Sequence, residues 1–99
     1  MITKNAKHRG PNVKVTFSIP TGWLDRPACV VGDFNDWDPT ATPMRKKGAD
    51  RVASVVVEPG RCYAFRYLDA DGRWYDDPAA DRVVANRFGG TDSVIDLSG

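Results

Sequence analysis

Residues Cys62-Tyr63-Ala64-Phe65-Arg66-Tyr67-Leu68-Asp69 decide the fold class. Aromatic rings recur at Tyr63, Phe65 and Tyr67, with Cys62, Ala64, Arg66 and Leu68 between them. Successive side chains of a strand point to opposite faces, so this spacing sends three rings one way and Arg66 the other. Working outward, the same period of two runs through Val13, Val15, Phe17 and Ile19, set against Lys14, Thr16 and Ser18. Ala28 to Val31 reads as a short apolar strand closed by Gly32, and Val52 to Val57 as a β-branched one. Trp74-Tyr75, Val83 to Ala85 and Ser93 to Leu97 are further short strands. Between them lie turn-forming stretches: Pro20 to Pro27, Asp33 to Pro43, Lys46 to Asp50, Glu58-Pro59-Gly60, Asp69 to Gly72 and Asn86 to Gly90. No segment carries the three-to-four-residue apolar spacing of a helix. About seven short strands with turns every ten residues or so predict an all-β, two-sheet β-sandwich. Its core is assigned to Phe17, Phe34, Phe65 and Tyr67.

The chain has 99 residues, enough for one small domain. Residues 1–11 carry Lys4, Lys7 and Arg9 and little to bury, so they are expected to form a flexible basic tail, with the domain at 12–99. Fourteen Lys and Arg against thirteen Asp and Glu give a net charge of +1, which argues against nucleic-acid binding through a broad basic field. No apolar run approaches the length of a membrane span, and the N-terminus lacks the apolar core of a signal peptide. Cys29 and Cys62 are therefore expected to be reduced thiols in a cytoplasmic protein.

The functional signal lies in Val31-Gly32-Asp33-Phe34-Asn35-Asp36-Trp37-Asp38-Pro39, which sets Trp37 in a loop just after a strand. A loop tryptophan either plugs the end of the sandwich or offers a flat ring for the apolar C–H face of a pyranose; sequence pattern alone leaves the two even. Trp74, after the Asp71-Gly72 turn, is a second platform of the same kind. Arg66, on the face opposite the core rings, is either a solvated surface residue or a fork of donors for vicinal hydroxyls. The aspartate groups Asp33/Asp36/Asp38 and Asp69/Asp71/Asp76/Asp77 lack calcium-loop spacing and fit turn formation better. His8 in the basic tail has no partner for metal or general-base work, and neither cysteine has a histidine beside it in sequence. No metal, cofactor or catalytic residue is expected.

Gly32-Asp33-Phe34-Asn35-Asp36-Trp37, Pro59-Gly60-Arg61, Phe65-Arg66-Tyr67, Asp71-Gly72-Arg73-Trp74, Asp77-Pro78 and Phe88-Gly89-Gly90 with Ser93-Val94-Ile95 occur in that order. The series resembles a family 48 carbohydrate-binding module. This is the isoamylase N-terminal early set domain, related to the glycogen-binding domain of the AMP-activated protein kinase β subunit. The likeness covers about residues 12–97. It implies an immunoglobulin-like early set sandwich and a non-catalytic module for glycogen or another α-1,4-glucan. By position it implies sugar contacts at Trp37, Arg66, Trp74, Phe88 and Asp92. The chain departs from the kinase-type pattern in having Arg at position 66 in place of Lys, Gly90 at a hydroxyl position and Asp92 in place of Asn. The family also includes domains that serve as packing surfaces in debranching and branching enzymes. The alternative is thus a protein-interaction domain that docks on a glycogen-metabolising or other enzyme.

Overall fold

The computed structural model describes residues 2–5, 12–23, 26–86 and 89–98, with Asn5 described for its backbone alone. Nine strands form two antiparallel sheets: β1 (Ile2–Asn5), β2 (Val13–Pro20), β3 (Ala28–Gly32), β4 (Arg45–Lys47), β5 (Asp50–Val57), β6 (Cys62–Asp69), β7 (Trp74–Tyr75), β8 (Arg82–Ala85) and β9 (Thr91–Asp96). The first sheet runs β1-β2-β5-β4 and the second β3-β6-β9-β8, with β7 also paired to β6. The all-β sandwich expected from the sequence is the architecture found. Among the described residues it has nine strands rather than about seven, because two short polar segments also pair.

One addition is β4, whose Arg45, Lys46 and Lys47 lie against Val52, Arg51 and Asp50. The other is β1, four residues inside the stretch expected to be a flexible tail. Ile2 pairs with Phe17 and Lys4 with Val15, and Ile2 packs on the core. Lys4 reaches the second sheet, where its ammonium meets Asp81 and the Asp96 carbonyl. The tail reading is corrected over Ile2–Asn5; His8, Lys7 and Arg9 lie outside the described residues.

The two inner faces supply the core. Val13, Val15, Phe17 and Ile19 of β2 meet Tyr63, Phe65 and Tyr67 of β6, with Val30, Ala53, Val57 and Ile95 filling between. Phe17 lies 4.8 Å from Phe65 and 5.7 Å from Phe34, centroid to centroid. Phe17, Phe65 and Tyr67 are fully buried, and Phe34 is half-buried against them. Sheets packed face to face stand about 10 Å apart, which with side chains on both outer faces fits the 22 Å short dimension.

Polar groups on the inner side are satisfied. The Tyr67 hydroxyl donates to Asp77 Oδ2, and Ser93 Oγ accepts from the Asp77 N–H. Burial first, then the hydrogen bond to Asp77, pushes the Tyr67 hydroxyl far above its ordinary pKa. It therefore stays a donor throughout the working pH range.

Candidate functional site

Because Tyr63, Phe65 and Tyr67 face the core, Ala64 and Arg66 project from the outer face of the second sheet. Trp74 joins them, since it pairs with Leu68 on the same face. Asp92, two residues before Val94, which pairs with Ala64, falls on that face too. Val31 and Val94 are buried yet stand outside the inter-sheet core, as expected if the loop after β3 folds back over this side.

That loop is held in place residue by residue. Gly32 is required where β3 crosses β6, because a Cβ would stand 2.5 Å from the Ala64 carbonyl oxygen. A single 3-10 turn, Asp33–Asn35, follows. Asn35 Oδ1 accepts from the Gly32 N–H at 3.0 Å, and its amide donates to the Val30 carbonyl and to Thr42 Oγ1. Asp36 and Trp37 then both adopt left-handed backbone, at φ 56° and 57°. For an aromatic residue this costs on the order of 1 kcal/mol. Two bonds offset the cost: the Trp37 N–H donates to the Gly32 carbonyl at 2.9 Å, and its indole N–H to Asp33 Oδ1 at 2.8 Å. The other Asp33 oxygen accepts from the Ala64 N–H at 2.8 Å. One carboxylate thus ties the Trp37 ring to β6.

On the opposite side, Arg66 lies with its guanidinium carbon 5.6 Å from the Trp74 ring centroid. Trp74 is 43% exposed. Arg66 Nε stands 3.2 Å from Asp76 Oδ1, an ion pair without hydrogen-bond alignment, so both atoms are buried and unbonded. Thr91 Oγ1 donates to the second Asp76 oxygen. The β8–β9 turn closes the third side. Asn86 accepts from the Gly90 N–H with its side-chain oxygen and donates to Asp92 Oδ1 at 3.1 Å. A Cβ on Gly90 would lie 3.9 Å from Arg66 Nη1, so the missing side chain leaves the guanidinium open from that direction.

Together these groups line an open cleft of about 870 Å³. The structure brings Trp37, Arg66, Trp74 and Asp92 into it, with Asp33, Ala64, Asn86 and Gly90. Phe88 lies outside the described residues. Sequence reading missed Asp33 as the anchor of Trp37 and Asn86 as the clip on Asp92. The signal for Asn86 was its place four residues before Gly90 in a turn; for Asp33 it was its place four before Trp37. Among the described residues no group of three or more His, Cys, Asp or Glu stands close enough to hold a metal ion, and no helix is long and apolar enough to cross a membrane. The arrangement offers two indole rings, a guanidinium, carboxylates and an amide around one cleft. That set can stack on a ring and hydrogen-bond its substituents.

No protein-family model matches the chain. Parts of it are similar to 1,4-alpha-glucan branching enzymes. It is 44% identical over 46 residues to GlgB 2 of Xanthomonas campestris pv. campestris (strain 8004), covering 44% of this chain and 6% of the enzyme. To GlgB 2 of Rhizobium johnstonii it is 40% identical over 50 residues, 48% of the chain and 7% of the enzyme. To GlgB of Ralstonia nicotianae it is 38% identical over 68 residues, 61% of the chain and 9% of the enzyme. The chain thus spans less than a tenth of the length of these curated relatives.

Proposed function

We propose that the chain is a non-catalytic module that binds α-1,4-glucans such as glycogen or maltodextrin, through the cleft on its second sheet. The observation that carries this reading is the convergence of Trp37 and Trp74 on either side of Arg66 in one open cleft. The partial likeness to glucan-branching enzymes supports the substrate class. In this reading the C–H face of a glucose unit stacks on each indole. Arg66 donates to neighbouring hydroxyls from the nitrogens left free of Asp76, and Asp92 accepts a hydroxyl hydrogen bond beside the Asn86 amide. The helical curvature of an α-linked chain suits rings set on two sides of a cleft, whereas a flat β-linked chain suits coplanar ones. The site is cytoplasmic in this reading.

The test is tryptophan fluorescence of the chain titrated with maltoheptaose and β-cyclodextrin, with cellohexaose as the control. The α-linked sugars are expected to give a saturable shift and cellohexaose none. Trp74→Ala is expected to weaken binding about thirtyfold, the loss of about 2 kcal/mol typical of an aromatic anchor. A flat response to millimolar sugar in the folded protein would refute the reading. It would favour a protein-docking role, for which Trp23, 47% exposed and edge-on to Tyr75 at 5.8 Å, is the apolar surface at hand.

A further inference from the structure

The net charge of +1 conceals a segregation of charge between the two sheets. The strands of the first sheet carry Lys4, Lys14, Arg45, Lys46, Lys47 and Arg51 against the single acid Asp50. The strands of the second carry Arg66 and Arg82 against Asp69, Asp92 and Asp96. The cations also differ in company. Lys4, Arg26, Arg66 and Arg82 are ion-paired to Asp81, Asp71, Asp76 and Asp96. Among the described residues, no carboxylate stands within ion-pair distance of Lys14, Arg45, Lys46 or Lys47.

Those four residues line one groove, of about 800 Å³, on the side of the molecule away from the tryptophan cleft. Register places Lys14, Arg45 and Lys47 on the outer face, with Lys46 between the last two on the edge strand. Val15 and Phe17 face the core, so Lys14 and Thr16 face out; Thr16 pairs with Ser54, and Arg45 with Val52. Hydroxyls are interleaved with the charges: Thr16 Oγ1 and Ser54 Oγ lie 2.9 Å apart, sharing a single proton between them, and Thr42 stands at the rim. Each hydroxyl oxygen keeps capacity beyond that bond, so the second proton of the pair is open to an acceptor in the groove. Among the described residues no acidic side chain lines the groove. Asp50 stands opposite Lys47 at the end of the β4–β5 pair, outside ion-pair distance; the remaining like charges repel one another, and a compact anion relieves that repulsion by charge-assisted hydrogen bonds.

We propose that this groove binds a small molecule carrying two or more linked phosphate groups. The volume falls in the range of small-ligand sites, and cations beside hydroxyl donors fit phosphate oxygens. A single carboxylate or phosphate would leave most of the four cations unneutralised. The site is separate from the proposed glucan cleft and does not depend on it.

The experiment is isothermal titration calorimetry of the chain, in metal-free low-salt buffer, with tripolyphosphate and with adenosine triphosphate. Saturable one-to-one binding is expected, weakened about tenfold by Lys14→Ala and by Arg45→Ala, the loss of one charged hydrogen bond. Trp74→Ala is expected to leave it unchanged. Equal affinity for both probes assigns a free oligophosphate, and tighter binding of the nucleotide assigns a nucleotide tail; either supports the proposal. Absence of saturation at millimolar tripolyphosphate, or affinity unchanged in both lysine and arginine variants, overturns it. So does binding of an oligoglutamate peptide or a single-stranded oligonucleotide in place of both small probes.

Discussion

A Cβ on Gly32 would stand 2.5 Å from the Ala64 carbonyl oxygen and 2.8 Å from Phe65 Cβ. Both obstacles belong to the central strand of the second sheet, so neither can swing aside as a flexible side-chain end would. The backbone at Gly32 is fully extended, at φ −171°, which any residue adopts, so space alone excludes a side chain here. Gly32→Ala is expected to destabilise the fold by about 2–3 kcal/mol, the cost of overpacking against a rigid neighbour, read as a lower urea midpoint at constant slope. An unchanged midpoint would mean that β3 approaches β6 less closely. The same crossing brings Asp33 over Ala64, and this marks the limit of sequence reading at the scale of single residues. The outward direction of Arg66 was legible because strand alternation is strictly local. The second bond of Asp33 was not, because its donor lies 31 positions away and becomes a neighbour only when β3 and β6 pair.

The β6–β7 hairpin shows how an element aims a side chain it does not contain. Asp69 ends β6; its Oδ1 accepts from the Asp71 and Arg73 N–H groups, and its Oδ2 from the Tyr75 hydroxyl at 2.7 Å. Those bonds, the Tyr75 hydroxyl foremost and then the Arg73 amide, hold the Asp69 carboxyl below its ordinary pKa. A carboxylate depressed in the folded state adds stability at pH values above its unfolded pKa and loses it as pH falls through the folded one. Asp69→Asn is therefore expected to lower the melting temperature at pH 7, and the gap to the unsubstituted protein should narrow as pH falls below about 4, the ordinary carboxylate pKa. A gap independent of pH would show that the carboxylate charge is not what pins the turn. Because Trp74 opens β7, loosening the turn also loosens one wall of the cleft. The turn itself was legible in Asp69-Ala70-Asp71-Gly72, with Gly72 at φ 83° as a hairpin requires. Strand β1 was not legible. Ile2-Thr3-Lys4-Asn5 has one apolar residue, so no alternation marks it, and it pairs because the edge of β2 offers unpaired backbone groups and the Phe17 side of the core is open to Ile2.

At the scale of the whole molecule, the two sheets carry separate surfaces: tryptophans and ion-paired arginines on the second, and on the first Lys14, Arg45, Lys46 and Lys47, which have no ion pair among the described residues. Two features join them besides the core: the segment before β4, bonded to β3 through Val30 N–H to the Thr42 carbonyl and Met44 N–H to the Ala28 carbonyl, and the N-terminal strand. Lys4 belongs to the first sheet by pairing and to the second by its contacts with Asp81 and Asp96. The Lys4 ammonium is the main cause that lowers the Asp81 carboxyl from its ordinary pKa, with the Asp96 N–H next. The ion pair is about one-third exposed on each side, and such pairs contribute up to about 1 kcal/mol. Ile2, half-buried against the core, contributes about 1–2 kcal/mol through the apolar area it covers. Deleting residues 1–5 is therefore expected to lower the melting temperature by about 5–15 °C, since 1 kcal/mol moves a domain of this size by about 4–8 °C. Lys4→Ala alone is expected to account for the smaller part of that fall, and that part should shrink in high salt while the rest persists. A melting temperature unmoved by the deletion would return Ile2–Asn5 to the role of a tail, and the two sheets would then be held together by the core and by the bonds between β3 and the segment before β4.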